Sequence, residues 1–196
     1  EDNAAFVRLA RDFAAIGLNV PRVLAEDRAQ GFMLVNDLGD RHYLDHLDED
    51  NADRLYGDAI AALVVLQTAG PVSGLPVYDE AFLRRELGIF DEWLLGRLLG
   101  LDDSGPQRDM LERSYEQLVA SALAQPRVCV HRDYHSRNLM LTEQANPGIL
   151  DFQDAVVGPV AYDLVSLLRD CYIEWPEERV RGWTDAYLKQ ALGRGV

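Results

Sequence analysis

The chain has 196 residues, 48% of them hydrophobic, enough to bury one core without a disulfide framework or a structural metal. Its 33 acidic and 19 basic residues leave a formal charge of −14, a field that repels a phosphate backbone and argues against nucleic acid as a partner. Cys129 and Cys171 lie in separate apolar stretches, no apolar run is long enough for a bilayer, and no charged-then-apolar leader opens the chain, so a soluble cytoplasmic protein with no membrane partner is expected.

The chain opens at Glu1 rather than at a methionine and reads as trimmed. Residues 4–16 set Phe6, Leu9, Ala10, Phe13 and Ile16 on one helical face, with Gly17 as a left-handed stop. Arg22 to Ala25 and Gly31 to Val35 read as two strands of a hairpin turning at Glu26-Asp27-Arg28, and the polar Asn36 to Arg41 as a link between this small lobe and the rest of the chain. Three helical stripes come next: Leu55, Ala59, Ile60, Leu63 and Leu66; then Phe82, Leu83, Leu87, Phe90, Leu94 and Leu98; then, after Ser104-Gly105-Pro106, Leu111, Tyr115, Leu118 and Ala122. All three are expected in the core. Beyond Pro126, strands are expected at Arg127 to Val130, Leu139 to Leu141 and Ile149-Leu150, and helices at Ala161 to Tyr172 and Pro176 to Leu192.

Two strand ends deliver the densest polar groups: His131-Arg132-Asp133-Tyr134-His135-Ser136-Arg137-Asn138, then Asp151-Phe152-Gln153-Asp154. Charged side chains at strand mouths converge on clefts. Phosphoryl transfer needs a group to orient the attacking hydroxyl and take its proton, and oxygen ligands to hold magnesium against phosphates, and these residues supply both.

The pattern H-x-D-x-x-x-x-N followed by two apolar residues and Asp resembles the catalytic and metal-binding signature of kinases. Asp151-Phe152-Gln153 in place of Asp-Phe-Gly, the helical insertion and the stretch Gly158 to Leu164 make the chain similar to aminoglycoside phosphotransferases, choline kinases and their relatives. The resemblance implies an α+β, two-lobed kinase-like fold with a mainly helical large lobe: residues 1–38 as part of the small lobe and 39–196 as the large one. It makes Asp133 the base, Asn138 and Asp151 the ligands of Mg2+, and His131 and Asp163 braces of the catalytic loop. ATP is the implied co-substrate, with Val35, Asn36 and Leu38 of the hinge and Met140 beneath the adenine. No glycine-rich loop and no strand lysine precede residue 4, so the phosphate lid is expected outside this sequence, and the chain alone is expected to be poorly active.

The wording of both loops is most similar to bacterial kinases that phosphorylate N-acetylmuramate and N-acetylglucosamine at the anomeric hydroxyl in cell-wall recycling. That resemblance gives His135, Arg137, Gln153 and Asp154 to substrate or phosphate, with Arg137 able to pair a lactyl carboxylate. His135 reads equally as a loop brace, and Asp154 equally as the cap of a turn before Gly158-Pro159. An aminoglycoside, choline, homoserine or thiosugar acceptor stays open, as does a nucleotide-binding pseudokinase; a monomer is expected. His42 and His46 have the spacing of a helical zinc pair but sit among Asp45, Asp48, Glu49 and Asp50, which favours a solvated acidic face. Trp93, Trp175 and Trp183 read as core or rim before they read as sugar platforms. Lys189 is the only lysine, so cationic work falls to arginine.

Overall fold

The computed structural model describes residues 3–101 and 105–196; Ser104, read as part of a helix-initiating turn, lies outside them. Helix α1 (Ala4–Ala15) buries Val7, Leu9, Ala10 and Phe13, and Gly17 follows it at φ +89°, a backbone that a Cβ would strain. Strands β1 (Val23–Asp27) and β2 (Phe32–Val35) pair antiparallel. The turn falls at residues 28–31, later than expected, because Asp27 Oδ1 accepts from the amides of Ala29 and Gln30 and draws the chain round after it.

A short helix α2 (Tyr43–His46) leads into α3 (Ala52–Ala69), whose Leu55, Ala59, Ile60, Leu63 and Leu66 are all fully buried. The next two stripes depart from expectation. Helix α4 (Glu80–Ile89) runs on as a π-helical stretch (Phe90–Leu98), and neither contains a buried residue; Leu98 is 74% exposed. In α5 (Pro106–Leu123) only Tyr115 and Val119 are buried, while Leu118 is exposed. These stripes pack largely on each other, with Phe82 and Leu83 reaching the small buried cluster of Tyr78, Val128, Val130 and Val156. Asp91 of the π-helical stretch takes hydrogen bonds from Arg108 and Tyr115 of α5 at 2.9 and 2.5 Å.

Strand β3 (Arg127–Val130) pairs antiparallel with β6 (Val156–Pro159), and β4 (Leu139–Met140) with β5 (Gly148–Ile149). The sequence pattern does not predict a strand at β6; the fold places Val128 against Gly158 and buries all four β6 residues. Helix α6 (Tyr162–Leu168) ends before the expected Tyr172, and α7 (Glu177–Arg194) closes the described chain. The reason for the early stop is Asp170, whose two carboxylate oxygens each accept a backbone amide at 2.9 Å, from Ser136 and from Tyr172.

One hydrophobic cluster runs from α1 through α3 to α6 and α7, across the expected lobe boundary at 38/39. Its link is Phe152, fully buried beneath α1, with ring centroids 4.9 Å from Phe6 and 5.4 Å from Phe13. Trp183 is core, stacked on Tyr56 at 4.1 Å, with Trp175 edge-on to it. Trp93 is 54% exposed beneath the Arg97 guanidinium. Cys129 is buried, which pushes its thiol up to about 12, and both cysteines are free. No helix of the described residues is long and apolar enough to cross a membrane.

Candidate active site

Both polar loops leave strands that are buried behind them, so their side chains emerge at one mouth. Asp133, His135, Arg137, Asn138 and Asp151 line an open cleft of about 740 Å³ together with His42, Leu44, Asp45 and Tyr172.

The loop carrying Asp133 is held from four sides. Asp163, with no exposed surface, accepts the amides of His131 at 2.7 Å and Arg132 at 2.9 Å. Burial pushes its carboxyl up to about 7 against the pull of those two amides. His131 Nε2–H donates to the carbonyl of Leu150 at 2.9 Å, and Nδ1 accepts the Asp133 amide at 3.3 Å. Those bonds fix one neutral tautomer, and burial pushes the imidazole down to about 4. His131 thus ties the two loops together through hydrogen bonds at both ring nitrogens. Tyr134 donates its hydroxyl to the Ala59 carbonyl of α3, and the Leu44 amide of α2 donates to the Ser136 carbonyl.

The fourth tie has no counterpart in the sequence pattern. Arg132 pairs with Glu86 of α4 at 2.7 Å, and Glu86 also accepts from Tyr78. Arg132 stands at φ +81° and Asp151 at φ +62°, left-handed positions that cost free energy in residues other than glycine. The strain falls in the two polar loops, and the buried ties around them maintain it.

Asp133 is half-buried. Burial holds its pKa above the usual carboxylate value; Arg132 and His135 pull it down, and Asp151 and Asp154 push it up. Asn138 commits Nδ2 to the Asp133 carbonyl at 3.0 Å, which leaves its Oδ1 as an acceptor. Asp151 is exposed at the cleft, so an amide oxygen and a carboxylate, the hard donors Mg2+ prefers, share one space.

The other expected residues divide. His135 lines the cleft with its Nδ1 buried and without a partner in the protein, its ring edge-on to Tyr172 at 5.6 Å. Gln153 donates to Asp151 Oδ1 at 2.6 Å, so its amide serves the metal-ligand candidate before any sugar. Asp154 is exposed and sits in the turn closed by the Ala155 amide donating to the Phe152 carbonyl at 3.1 Å, just ahead of β6, which holds Gly158 and Pro159. Val35 ends β2, and Asn36 is bound back to Arg22 through both its amide and its side chain. Leu38 and Met140 meet over Gly148, where an added Cβ would lie 3.1 Å from Leu38 Cδ1 and from Met140 Cβ. Met140 itself is 2% exposed.

His42 opens α2, and its Nδ1 lies 2.7 Å from the Arg137 carbonyl, so the ring belongs to the catalytic loop rather than to a zinc pair. Among the described residues no three His, Cys, Asp or Glu gather as a metal cluster. Sequence reasoning missed His42, Leu44, Asp45 and Tyr172 as cleft residues, and Glu86 and Asp170 as ties. The spacing of His42 and His46, with Asp45 between them, was visible but pointed at a solvated acidic face; nothing local marks the other four.

Residues 1–195 match the family described as the phosphotransferase enzyme family. The chain is 48% identical over 196 residues to an N-acetylmuramate/N-acetylglucosamine kinase of Pseudomonas aeruginosa and 42% identical over 183 residues to one of Neisseria meningitidis. These matches take in 100% and 91% of the chain but only 58% and 54% of the relatives, so the chain spans little more than half their length. Among solved structures, ADP-bound aminoglycoside phosphotransferase APH(2'')-Ib superposes with a TM-score of 0.67 at 20% identity, over 97% of this chain and 69% of the other. APH(3'')-Id of Streptomyces rimosus, with ADP and streptomycin, superposes at 0.65 and 16% identity, over 98% and 74%. The fold is that of the aminoglycoside phosphotransferases.

Proposed function

Because the chain belongs to the phosphotransferase enzyme family, we propose that the protein of which it forms part is a cytoplasmic kinase transferring the γ-phosphoryl group of ATP to the anomeric hydroxyl of N-acetylmuramate or N-acetylglucosamine. The observation that carries this reading is the convergence of Asp133, Asn138 and Asp151 on one cleft, with the carboxyl of Asp133 half-buried and raised in pKa.

The Asp133 carboxylate orients the sugar hydroxyl and takes its proton as the new O–P bond forms and the bond to the leaving ADP oxygen breaks. A raised pKa makes it a better proton acceptor than an exposed aspartate. Asn138 Oδ1 and Asp151 would hold Mg2+; the ion supplies neutralisation of phosphate charge. Gln153 keeps the Asp151 carboxylate turned to its task, and the bond from His131 to Leu150 fixes the separation of the two loops. His135, whose ring lines the cleft, faces the transferred phosphoryl group. The adenine lies between the hinge residues Val35 to Leu38 and the β4 side of the cleft at Met140. In domain terms, residues 1–38 act as part of the small lobe and 39–196 as the large one, joined through Phe152.

The test is ADP release by the full-length protein with magnesium ATP and N-acetylmuramate, N-acetylglucosamine, kanamycin or choline. Turnover confined to the two sugars, with an acid-labile product, is expected, and Asp133→Asn should lower kcat by roughly 10²–10⁴. Retention of most of the turnover by Asp133→Asn would sink the mechanism, and turnover only on kanamycin or choline would sink the acceptor.

A further inference from the structure

The cleft is lined by Asp45, Asp133 and Asp151 and by the imidazoles of His42 and His135; among its described lining residues Arg137 is the one permanent cation. Arg137 has no salt bridge to a carboxylate among the described residues, whereas ten other arginines do. Arg137 shares the cleft with three aspartates and forms an ion pair with none of them. Tyr172 keeps it so. The guanidinium lies 5.0 Å from the centre of the Tyr172 ring, and Arg137 Nη1 donates to the Tyr172 hydroxyl at 3.3 Å. Such a contact fixes the plane of the guanidinium and leaves most of its five N–H donors for another partner.

Tyr172 is itself placed by the catalytic loop. Asp170, 9% exposed, accepts the Ser136 amide with one oxygen and the Tyr172 amide with the other, both at 2.9 Å. The turn after α6 is thereby pinned to the residue preceding Arg137. While the Asn138 side chain turns inward to the Asp133 carbonyl, that of Arg137 leaves the loop toward Tyr172 and solvent.

Resting on the kinase reading above, we infer that Arg137, set by Tyr172 and through it by Asp170, recognises a carboxylate on the acceptor, making Tyr172 a specificity-determining residue and Asp170 a positioning residue. A planar guanidinium meets a carboxylate with two parallel hydrogen bonds, which is the match a lactyl ether offers and a plain hydroxyl does not. The same guanidinium has the chemistry to serve a nucleotide phosphate, and the experiment separates the two sources.

N-acetylmuramate and N-acetylglucosamine differ only by the lactyl group, so the ratio of their kcat/KM values in the full-length protein reads this contact alone. Arg137→Ala is expected to lower that ratio tenfold or more, through KM for N-acetylmuramate, with Arg137→Lys in between. Tyr172→Leu should lower it severalfold and Tyr172→Phe less, since the phenyl ring still carries the guanidinium. A ratio unchanged within twofold, above all with a rise in KM for ATP, would assign Arg137 to phosphate and overturn the inference. Should the wild type turn over neither sugar, the acceptor reading fails on its own, and calorimetric binding of the two sugars to the same proteins still decides this one. Preferential binding of N-acetylmuramate lost in Arg137→Ala upholds it; equal or absent binding of both by the wild type overturns it.

Discussion

Helix α3 and the arm formed by α4, the π-helical stretch and α5 carry the same kind of apolar stripe and meet opposite fates. In α3 the stripe has no exposed surface, because α7, α6 and β3 all pack on it and Tyr134 hydrogen-bonds its backbone at Ala59. In the arm Ile89, Phe90, Leu98, Met110 and Leu118 stay exposed, and the arm is held together by a polar seam of Arg84, Asp91, Arg108, Glu112 and Tyr115. A stripe tells which face of a helix is apolar; burial depends on how many elements come to cover it. The catalytic loop draws on both regions. It is bolted to α3 through Tyr134 and reaches the arm through Arg132 and Glu86.

The largest expected effect lies in α3. Leu63→Ala empties a site of zero exposure and should cost about 2–5 kcal/mol in urea unfolding, because a core closed on all sides cannot collapse into the void. A cost below about 1 kcal/mol would break the comparison at its stronger end.

His131 comes next, and its effect is visible in pH. Its folded pKa of about 4 lies below the ordinary imidazole value of 6.5, so the unfolded chain takes up the proton first as pH falls. Its contribution is complete above pH 6.5 and about 3 kcal/mol of it is lost by pH 4, from the interval between those two values. Asp163 acts in the opposite sense: its pKa is raised from 3.8 to about 7, so its contribution is complete below 3.8 and is lost as pH rises through 7. The stability difference between wild type and His131→Gln isolates the histidine, and it should shrink by about 3 kcal/mol from pH 6.5 to pH 4. A difference independent of pH would show an imidazole that titrates normally.

At the root of the arm, Glu86→Gln removes the charge opposite Arg132 and should cost about 1–3 kcal/mol in thermal unfolding, with kcat changing more than KM because Arg132 adjoins Asp133. If only the stability moves, the arm supports the fold without positioning Asp133. The smallest effect is at the arm's surface. Leu98→Ser, at a residue 74% exposed, should change stability by no more than about 0.5 kcal/mol, and a loss near that of Leu63→Ala would show that the arm is covered in solution.

Much of the site was legible because its signals are local. Asp133, Asn138 and Asp151 stand at fixed offsets after short apolar strands, and a strand that buries its own residues delivers the next ones to an edge. The family resemblance supplied Asp163, which no local pattern marks; its role rests on two hydrogen bonds reaching back to residues 131 and 132. Glu86, Asp170 and Tyr172 had no signal at all. Glu86 is one charged residue among several on α4, and Tyr172 was absorbed into a helix that Asp170 ends early. Gln153 was legible as a polar residue at the right loop, but its orientation toward Asp151 was not.

By itself the sequence determined most of the helices and strands, the α3 stripe, the polar loops at two strand ends and the kinase-like family, all of which depend on neighbours a few residues apart or on a contiguous motif. Only the tertiary structure decided that the second and third stripes stay open, that Gly158 and Pro159 form a strand, that Phe152 joins α1 to the second polar loop, and that Asp170 and Tyr172 set Arg137. The physical reason is that periodicity and turn chemistry are properties of a chain with itself, whereas burial, strain and the partner of a charged group depend on which distant segment arrives beside it.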